Sequence, residues 1–161
     1  DGGGGVGAGP GNAVGTALAL RDMGSQRVAV AMIGDGDFLM GNTAIWTAVH
    51  YGIPLLVIVC NNHSFFNDEL HQERVAKERG RPVENKWIGQ RMDGPEINIA
   101  AMAQSMGATA IGPVRTPKDL DAVILQGWQH ARQGQVCVID ACIAPGYDAN
   151  MSGQATASHK R

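Results

Sequence analysis

Three short apolar runs restrict what this chain can fold into. They are RVAVAMI over 27–33, LLVIVC over 55–60 and VCVIDACI over 136–143. None alternates between apolar and polar residues. A strand with one wet face would alternate, so these runs predict strands buried on both faces. Helix-like segments separate them. Small residues with Ala and Leu run over 11–23 and stop at Gly24. A second helix is expected over 42–51, stopped by Gly52 with Pro54 beyond. A charged surface helix is expected over 67–81, a loop over 81–95 and an amphipathic helix over 97–106. A short strand follows over 108–111. The helix over 116–132 starts with Thr116 as N-cap, Pro117 at the first position and Asp119 behind it. The order α, β, α, β, α, α, β, α, β predicts an α/β domain with a parallel sheet covered by helices on both faces.

At 161 residues the chain suits one domain, and 44% hydrophobic against 17% charged residues places it among globular rather than disordered sequences. A net charge of −2 without a basic run argues against nucleic acid as a partner. The longest apolar run, 53–60, is too short to cross a bilayer. No targeting segment is recognisable, and the first residue is Asp1, so a fragment, a processed chain and unseen upstream residues all stay open. Cys60, Cys137 and Cys142 lie in the apolar strands without C-x-x-C spacing, which predicts free thiols in a reducing compartment and no zinc site.

The opening DGGGGVGAGPGNAVG allows a G-x-G-x-x-G through Gly2, Gly4 and Gly7. A dinucleotide turn needs a strand before it and an acidic residue after the next strand. Neither stands in the right place. The polar clusters after the strands are more informative, because ligands of open parallel sheets sit beyond the carboxyl ends of the strands. Gly34-Asp35-Gly36-Asp37 follows the first run and Asn61-Asn62-His63-Ser64 follows the second. A right-handed crossover through the 42–51 helix sets the two strands side by side and brings Asp35 near Asn62. Oxygen donors of this kind suit a hard cation, and Mg²⁺ takes one or two protein groups plus phosphate and water. Glycines beside Asp35 let backbone approach a phosphate. The residues alone therefore predict a Mg²⁺–diphosphate site.

GDG at 34–36 with NN at 61–62 resembles the thiamine diphosphate motif. The opening is similar to the matching segment of acetolactate synthases, benzoylformate decarboxylases and pyruvate decarboxylases, where a glycine-rich stretch leads into a helix of small residues. The resemblance covers nearly the whole chain and implies the thiamine diphosphate-binding fold of the diphosphate-binding domain. It implies Asp35, the Asn62 side chain and the Ser64 carbonyl as ligands of Mg²⁺ or Ca²⁺. Gly34, Gly36 and Asp37 would line the diphosphate. Relatives often carry Ser at the Asp37 position, and an acid there could instead face a helix N-terminus or the aminopyrimidine. Val6 falls where the family keeps a larger apolar residue under the thiazolium, and the Gly4 carbonyl would accept from the 4′-amino group. The cofactor serves as an electron sink for decarboxylation or carboligation of a 2-oxo acid or aldehyde. The family's activating Glu sits on a pyrimidine-binding domain, and Glu69, Glu73, Glu78, Glu84 and Glu96 lie in the wrong type of domain for it. The resemblance thus implies a domain over 1–143 and a tail over 144–161, with the pyrimidine-binding and middle domains absent. A pyrimidine-binding domain from the same or another chain, a homodimer or homotetramer, and a cytoplasmic location are expected. A flavin, structural in some relatives, would belong to the middle domain.

Around the motif, one of Phe65 and Phe66 is expected in the core and the other at the substrate pocket. Asp68 sits where some decarboxylases place an acid. His63 reads as a turn residue that could face substrate, while His50 and His71 read as helix-surface residues and Trp46 and Trp128 as core. The segment 68–81 reads as a solvated face, and the polar stretch continuing through Trp87 and Gln90 as a lid that orders on cofactor binding. An acetolactate synthase-like carboligase is the first reading. A simple 2-oxo acid decarboxylase and a non-catalytic cofactor-binding subunit are the alternatives.

Overall fold

The computed structural model describes residues 5–146 of the 161. Four strands form one sheet: β1 (Ala29–Gly34), β2 (Leu55–Asn61), β3 (Thr109–Val114) and β4 (Val136–Cys142). All pairs are parallel, in the order β1-β2-β4-β3. Among the described residues six helices accompany them: α1 (Gly9–Asp22), α2 (Asp35–Gly41), α3 (Thr43–His50), α4 (Phe66–Glu78), α5 (Ile99–Ser105) and α6 (Pro117–Arg132). The expected α/β architecture is present.

The unbroken apolar runs have the expected cause in the two inner strands. Leu55, Val57 and Val59 of β2 join Val136 and Val138 of β4 on one face, against Val14, Phe38, Ile45 and Ile99 from α1, α2, α3 and α5. Leu56 and Ile58 join Cys137 and Ile139 on the other, against Leu120, Val123, Ile124 and Ala131 of α6. With both faces packed, every position along β2 and β4 gains from being apolar.

β1 departs from the expectation of full burial. Val30 and Met32 lie beside Leu56 and Ile58 in register. They are nonetheless 53% and 71% exposed. β1 is an edge strand, and α6 lies over β2 and β4, so that face of β1 is left open among the described residues. Neither Trp46 nor Trp128 is core. Trp46 is 52% exposed and stacks on His50 one turn along α3, and Trp128 lies at the rim of α6 with the Arg132 guanidinium 5.1 Å from its ring centroid. Trp46 stands on the exposed side of α3, whereas Trp128 borders the open groove beside Val30 and Leu56 and edges the sheet without being enclosed.

The remaining boundaries coincide or move by at most three residues, most of them within the one or two by which element ends fray. Thr116 occupies the N-cap position of α6, but its hydroxyl donates to Asp119 Oδ2 at 2.5 Å rather than capping a backbone N–H. The sequence reading placed no helix over 35–41, where α2 forms. Gly36 inside it and Gly41 at its end mask it, while acidic Asp35 and Asp37 in the first turn suit the positive end of the helix dipole. Phe38, fully buried beneath α1 and α3, anchors it.

Candidate active site at the carboxyl ends of β1 and β2

β1 ends at Gly34, which pairs in register with Cys60 near the end of β2. Both strands therefore release their chains on the same edge of the sheet. Gly34 is the extended N-cap of α2, and Asp35 is the first residue of that helix. Beyond β2 the chain makes two successive Asx turns. Asn61 Oδ1 accepts from His63 N–H at 3.1 Å, and Asn62 Oδ1 accepts from Ser64 N–H at 2.9 Å. His63 takes a left-handed φ of 57° between them, so it is a turn residue as expected. Asn and His tolerate such tight polar turns because local hydrogen bonds replace the lost ladder.

The two turns aim the paired asparagines in opposite directions. Asn61 Nδ2 donates to Asp140 Oδ1 of β4 at 2.9 Å, with both side chains buried, and Asn61 O accepts from Ile143 N–H. Asn61 thus ties the loop to the neighbouring strand. Asn62 shares the Ser64 N–H with Asp35, whose Oδ2 accepts it at 3.2 Å. The Asp35 carboxylate, 3% exposed, also accepts at Oδ1 from Gly36 N–H at 2.9 Å. Burial pushes its carboxyl up from the usual range, and N–H donors from Gly36, Ser64 and His63 oppose that push. One backbone N–H therefore holds a carboxylate oxygen and an amide oxygen together. Each oxygen keeps lone pairs for a cation.

Ser64 is fixed from a third side. Its hydroxyl donates to Glu69 Oε1 at 2.5 Å, and Arg91 Nε donates to the same oxygen at 3.3 Å. Glu69 is 2% exposed, so the segment 68–81 is not uniformly a solvated face. The i, i+5 offset from Ser64 to Glu69 spans the start of α4 and returns the carboxylate to the loop. Arg91 also lies 5.9 Å from the Trp87 ring centroid. A one-pair antiparallel bridge joins Ser64 to Arg91, closed by Phe65 N–H to Gln90 O at 3.0 Å and Met92 N–H to His63 O at 2.8 Å. Residues 63, 65, 90 and 92 supply those bonds, so the bridge does not consume the Ser64 carbonyl. The 87–92 segment is thereby packed onto the loop. Glu69, Arg91 and Asp140 were not among the residues expected from sequence. A charged residue seven positions past Asn62 is the only local signal for Glu69, and nothing local points to the other two.

The glycines act largely by letting other groups come close. A Cβ on Gly36 would lie 2.2 Å from the Phe65 ring, so Phe65 stacks onto this backbone. Phe65 and Phe66 are both half-buried, which corrects the division into one core and one pocket residue. Asp37, also in α2, turns toward the glycine loop: its Oδ1 accepts from Gly7 N–H at 2.6 Å and from Gly9 N–H at 3.1 Å. Val6 stands in that loop, 48% exposed. It borders a groove of about 430 Å³ that also touches Gly5, Gly34 and Asp37. Most of this groove runs away from Asp35, along α1 and β1 toward Ala29 and Leu55, so only its upper end adjoins the site. Gly4 lies outside the described residues. Asp68 is exposed on α4, as are His50 on α3 and His71 on α4.

Among the described residues no three His, Cys, Asp or Glu side chains gather as a metal cluster. A cation here would rest on one carboxylate, an amide and backbone oxygen, a donor set that fits Mg²⁺ or Ca²⁺ and not zinc. The cysteines are free, and burial pushes the Cys137 thiol up to about 11. No described helix is long and apolar enough to cross a membrane.

Comparison with known proteins adds two findings. The family described as thiamine pyrophosphate enzyme, C-terminal TPP binding domain, matches residues 1–141. Among solved structures, the chain is similar to the thiamine diphosphate-dependent 4-hydroxybenzoylformate decarboxylase of Rhodococcus jostii RHA1. The TM-score is 0.69 at 24% identity, over 91% of this chain and 24% of that one. It is similar also to the benzoylformate decarboxylase of Polynucleobacter necessarius, with a TM-score of 0.69 at 24% identity, over 90% of this chain and 25% of that one. These likenesses establish a shared fold. The chain spans about a quarter of the length of these relatives.

Proposed function

The chain belongs to the thiamine pyrophosphate enzymes, as their C-terminal TPP-binding domain, and on that premise we propose that residues 1–143 hold the diphosphate end of thiamine diphosphate through a Mg²⁺ ion. The observation that carries this reading is the single Ser64 N–H shared by Asp35 Oδ2 and Asn62 Oδ1. Asp35, the Asn62 amide oxygen and the Ser64 carbonyl are the protein ligands in this proposal, and Ca²⁺ could replace Mg²⁺. Asp35 supplies the charge. Its burial makes the uncompensated carboxylate costly, and a bound cation would relieve that cost.

The other residues orient and exclude. Gly34 leaves the backbone open to diphosphate oxygens, whereas the Gly36 N–H is taken by Asp35 Oδ1 and its open side by Phe65, which shields the metal loop from water. Val6 would give the thiazolium an apolar support; Gly4, whose carbonyl is expected to accept from the 4′-amino group, lies outside the described residues. Asp68 has only its place near the metal loop to recommend it. When bound, the cofactor supplies a nucleophilic carbon and an electron sink for breaking or making a C–C bond next to a carbonyl. The proton relay to the aminopyrimidine needs a Glu on a pyrimidine-binding domain of the same or another chain, so the working unit would be a homodimer or homotetramer.

The substrate class in this reading is a 2-oxo acid. Both structural neighbours named above are decarboxylases, which supports the cleavage half of the reaction; ligation to a second carbonyl, as in acetolactate synthases, would follow from the acceptor pocket. The test is the intact protein with thiamine diphosphate and Mg²⁺, offered pyruvate and benzoylformate in turn, with products followed by proton NMR against a metal-free control. Acetolactate or acetoin that disappears without Mg²⁺ establishes a carboligase. An aldehyde alone establishes a decarboxylase. Cofactor binding without turnover of any 2-oxo acid identifies a non-catalytic subunit, and no metal-dependent binding overturns the site.

A further inference from the structure

Three close contacts clamp the glycine loop onto α2. Asp37 Oδ1 accepts from both Gly7 N–H and Gly9 N–H. A Cβ on Gly9 would lie 2.0 Å from Asp37 Oδ2 and 3.0 Å from Ile33 Cγ2. At the far end of the helix, a Cβ on Gly41 would lie 2.4 Å from the Gly7 carbonyl oxygen and 3.1 Å from Pro10 Cγ. Gly7 itself has a φ of 96° and meets Met40. The loop is therefore held along the full length of the short helix whose first residue is Asp35.

We propose that Asp37 is a positioning residue: its carboxylate clasps the loop containing Val6 and sets that loop at a fixed offset from Asp35, and it is not a ligand of the diphosphate. The proposal rests on the functional reading above and deepens it. A carboxylate has only acceptor sites and can give no hydrogen bond to a phosphate. Facing a diphosphate, it would also repel it. Turned onto two N–H groups at the start of α1, the same carboxylate makes charge-assisted bonds. The metal-bearing helix and the ring-supporting loop then move as one body. Among the described residues of the opening, Gly7 and Gly9 serve this docking.

The test uses the intact protein and its Asp37→Ala and Asp37→Asn variants. The first readout needs no cofactor: amide hydrogen exchange of Gly7 and Gly9 by NMR in the apo protein. Loss of two hydrogen bonds in Asp37→Ala should speed these amides about tenfold or more, while Val57 and Val59 in β2 keep their rates. Asp37→Asn retains an Oδ1 acceptor and should restore much of the protection. The second readout compares two ligands in the presence of Mg²⁺. Asp37→Ala should weaken thiamine diphosphate about tenfold or more by the same reasoning but leave inorganic pyrophosphate as tight or tighter. Unchanged glycine exchange overturns the clasp. Equal weakening of both ligands overturns it in favour of a diphosphate ligand or a general loss of structure. Faster exchange with unchanged thiamine diphosphate affinity overturns the positioning role. If the unmodified protein binds neither ligand, the functional reading fails, and the exchange measurement still decides the clasp.

Discussion

The Ser64 hydroxyl donates to Glu69 Oε1 across a buried contact of 2.5 Å, and the same serine's N–H is the one shared by Asp35 and Asn62. A residue of helix α4 thus sets the position of a backbone group at the candidate metal site. Removing Glu69 leaves the Ser64 hydroxyl and one face of Arg91 without their acceptor. Glu69→Ala should cost about 1–3 kcal/mol of stability, the usual penalty for orphaned buried polar groups. Glu69→Gln keeps an acceptor and should cost less. Urea denaturation of the two variants checks the order, and equal midpoints for Glu69→Ala and the parent protein would show that the contact is idle.

Asp35 is the one charged member of the proposed ligand set. Asp35→Ala should abolish Mg²⁺-dependent binding of thiamine diphosphate in isothermal titration. Asp35→Asn keeps the shape without the charge and should bind far more weakly than the parent. Full affinity in either variant would move the cation elsewhere.

Gly36 and Phe65 are coupled by contact. A methyl group on Gly36 would stand 2.2 Å from the Phe65 ring. Overpacking of this kind typically costs about 1–3 kcal/mol. Gly36→Ala should therefore lower the melting temperature, and adding Phe65→Ala should recover part of the loss because the obstructing ring is gone. Strict additivity of the two substitutions would mean that the ring does not rest on this glycine.

Asp140 gives a pH signature away from the metal ligands. Burial raises its carboxyl above the ordinary 3.8, opposed by the Asn61 amide and by His63 and Arg115, with Glu96 adding to the rise. A raised folded-state value favours the protonated form in the fold. Its stabilising contribution is complete below 3.8 and is lost as pH rises through the folded value. Asp140→Asn removes that loss and can still accept from Asn61 Nδ2. In metal-free protein, the stability of Asp140→Asn minus that of the parent should climb from pH 4 upward and then level off. A difference that stays flat across this range would show that Asp140 titrates as in the unfolded chain.

Much of this arrangement is legible in the residues themselves. The non-alternating runs LLVIVC and VCVIDACI specify buried parallel strands, because period and burial are linked wherever both faces are packed. GDG follows RVAVAMI and NN follows LLVIVC, and with a right-handed crossover between those two strands this placement predicts that Asp35 and Asn62 meet. The same logic misjudged RVAVAMI. Apolar content cannot say whether a strand lies inside a sheet or at its edge, so the exposure of Val30 and Met32 stayed hidden. Trp46 and Trp128 failed for a related reason: a large apolar ring says nothing about which way its helix face turns.

Local periodicity and chain connectivity specify the fold class, the strand ends and the two polar clusters that meet there. The tertiary structure decided the rest. It turned Asn61 toward Asp140 and Asn62 toward Asp35, although the two residues are chemically identical. It carried Glu69 and Arg91 back onto Ser64, and it laid Asp37 against Gly7 and Gly9. Those pairings join residues five to seventy-nine positions apart. Their energies exist only once the chain has brought the groups within hydrogen-bond distance, and no local pattern of residues encodes that distance.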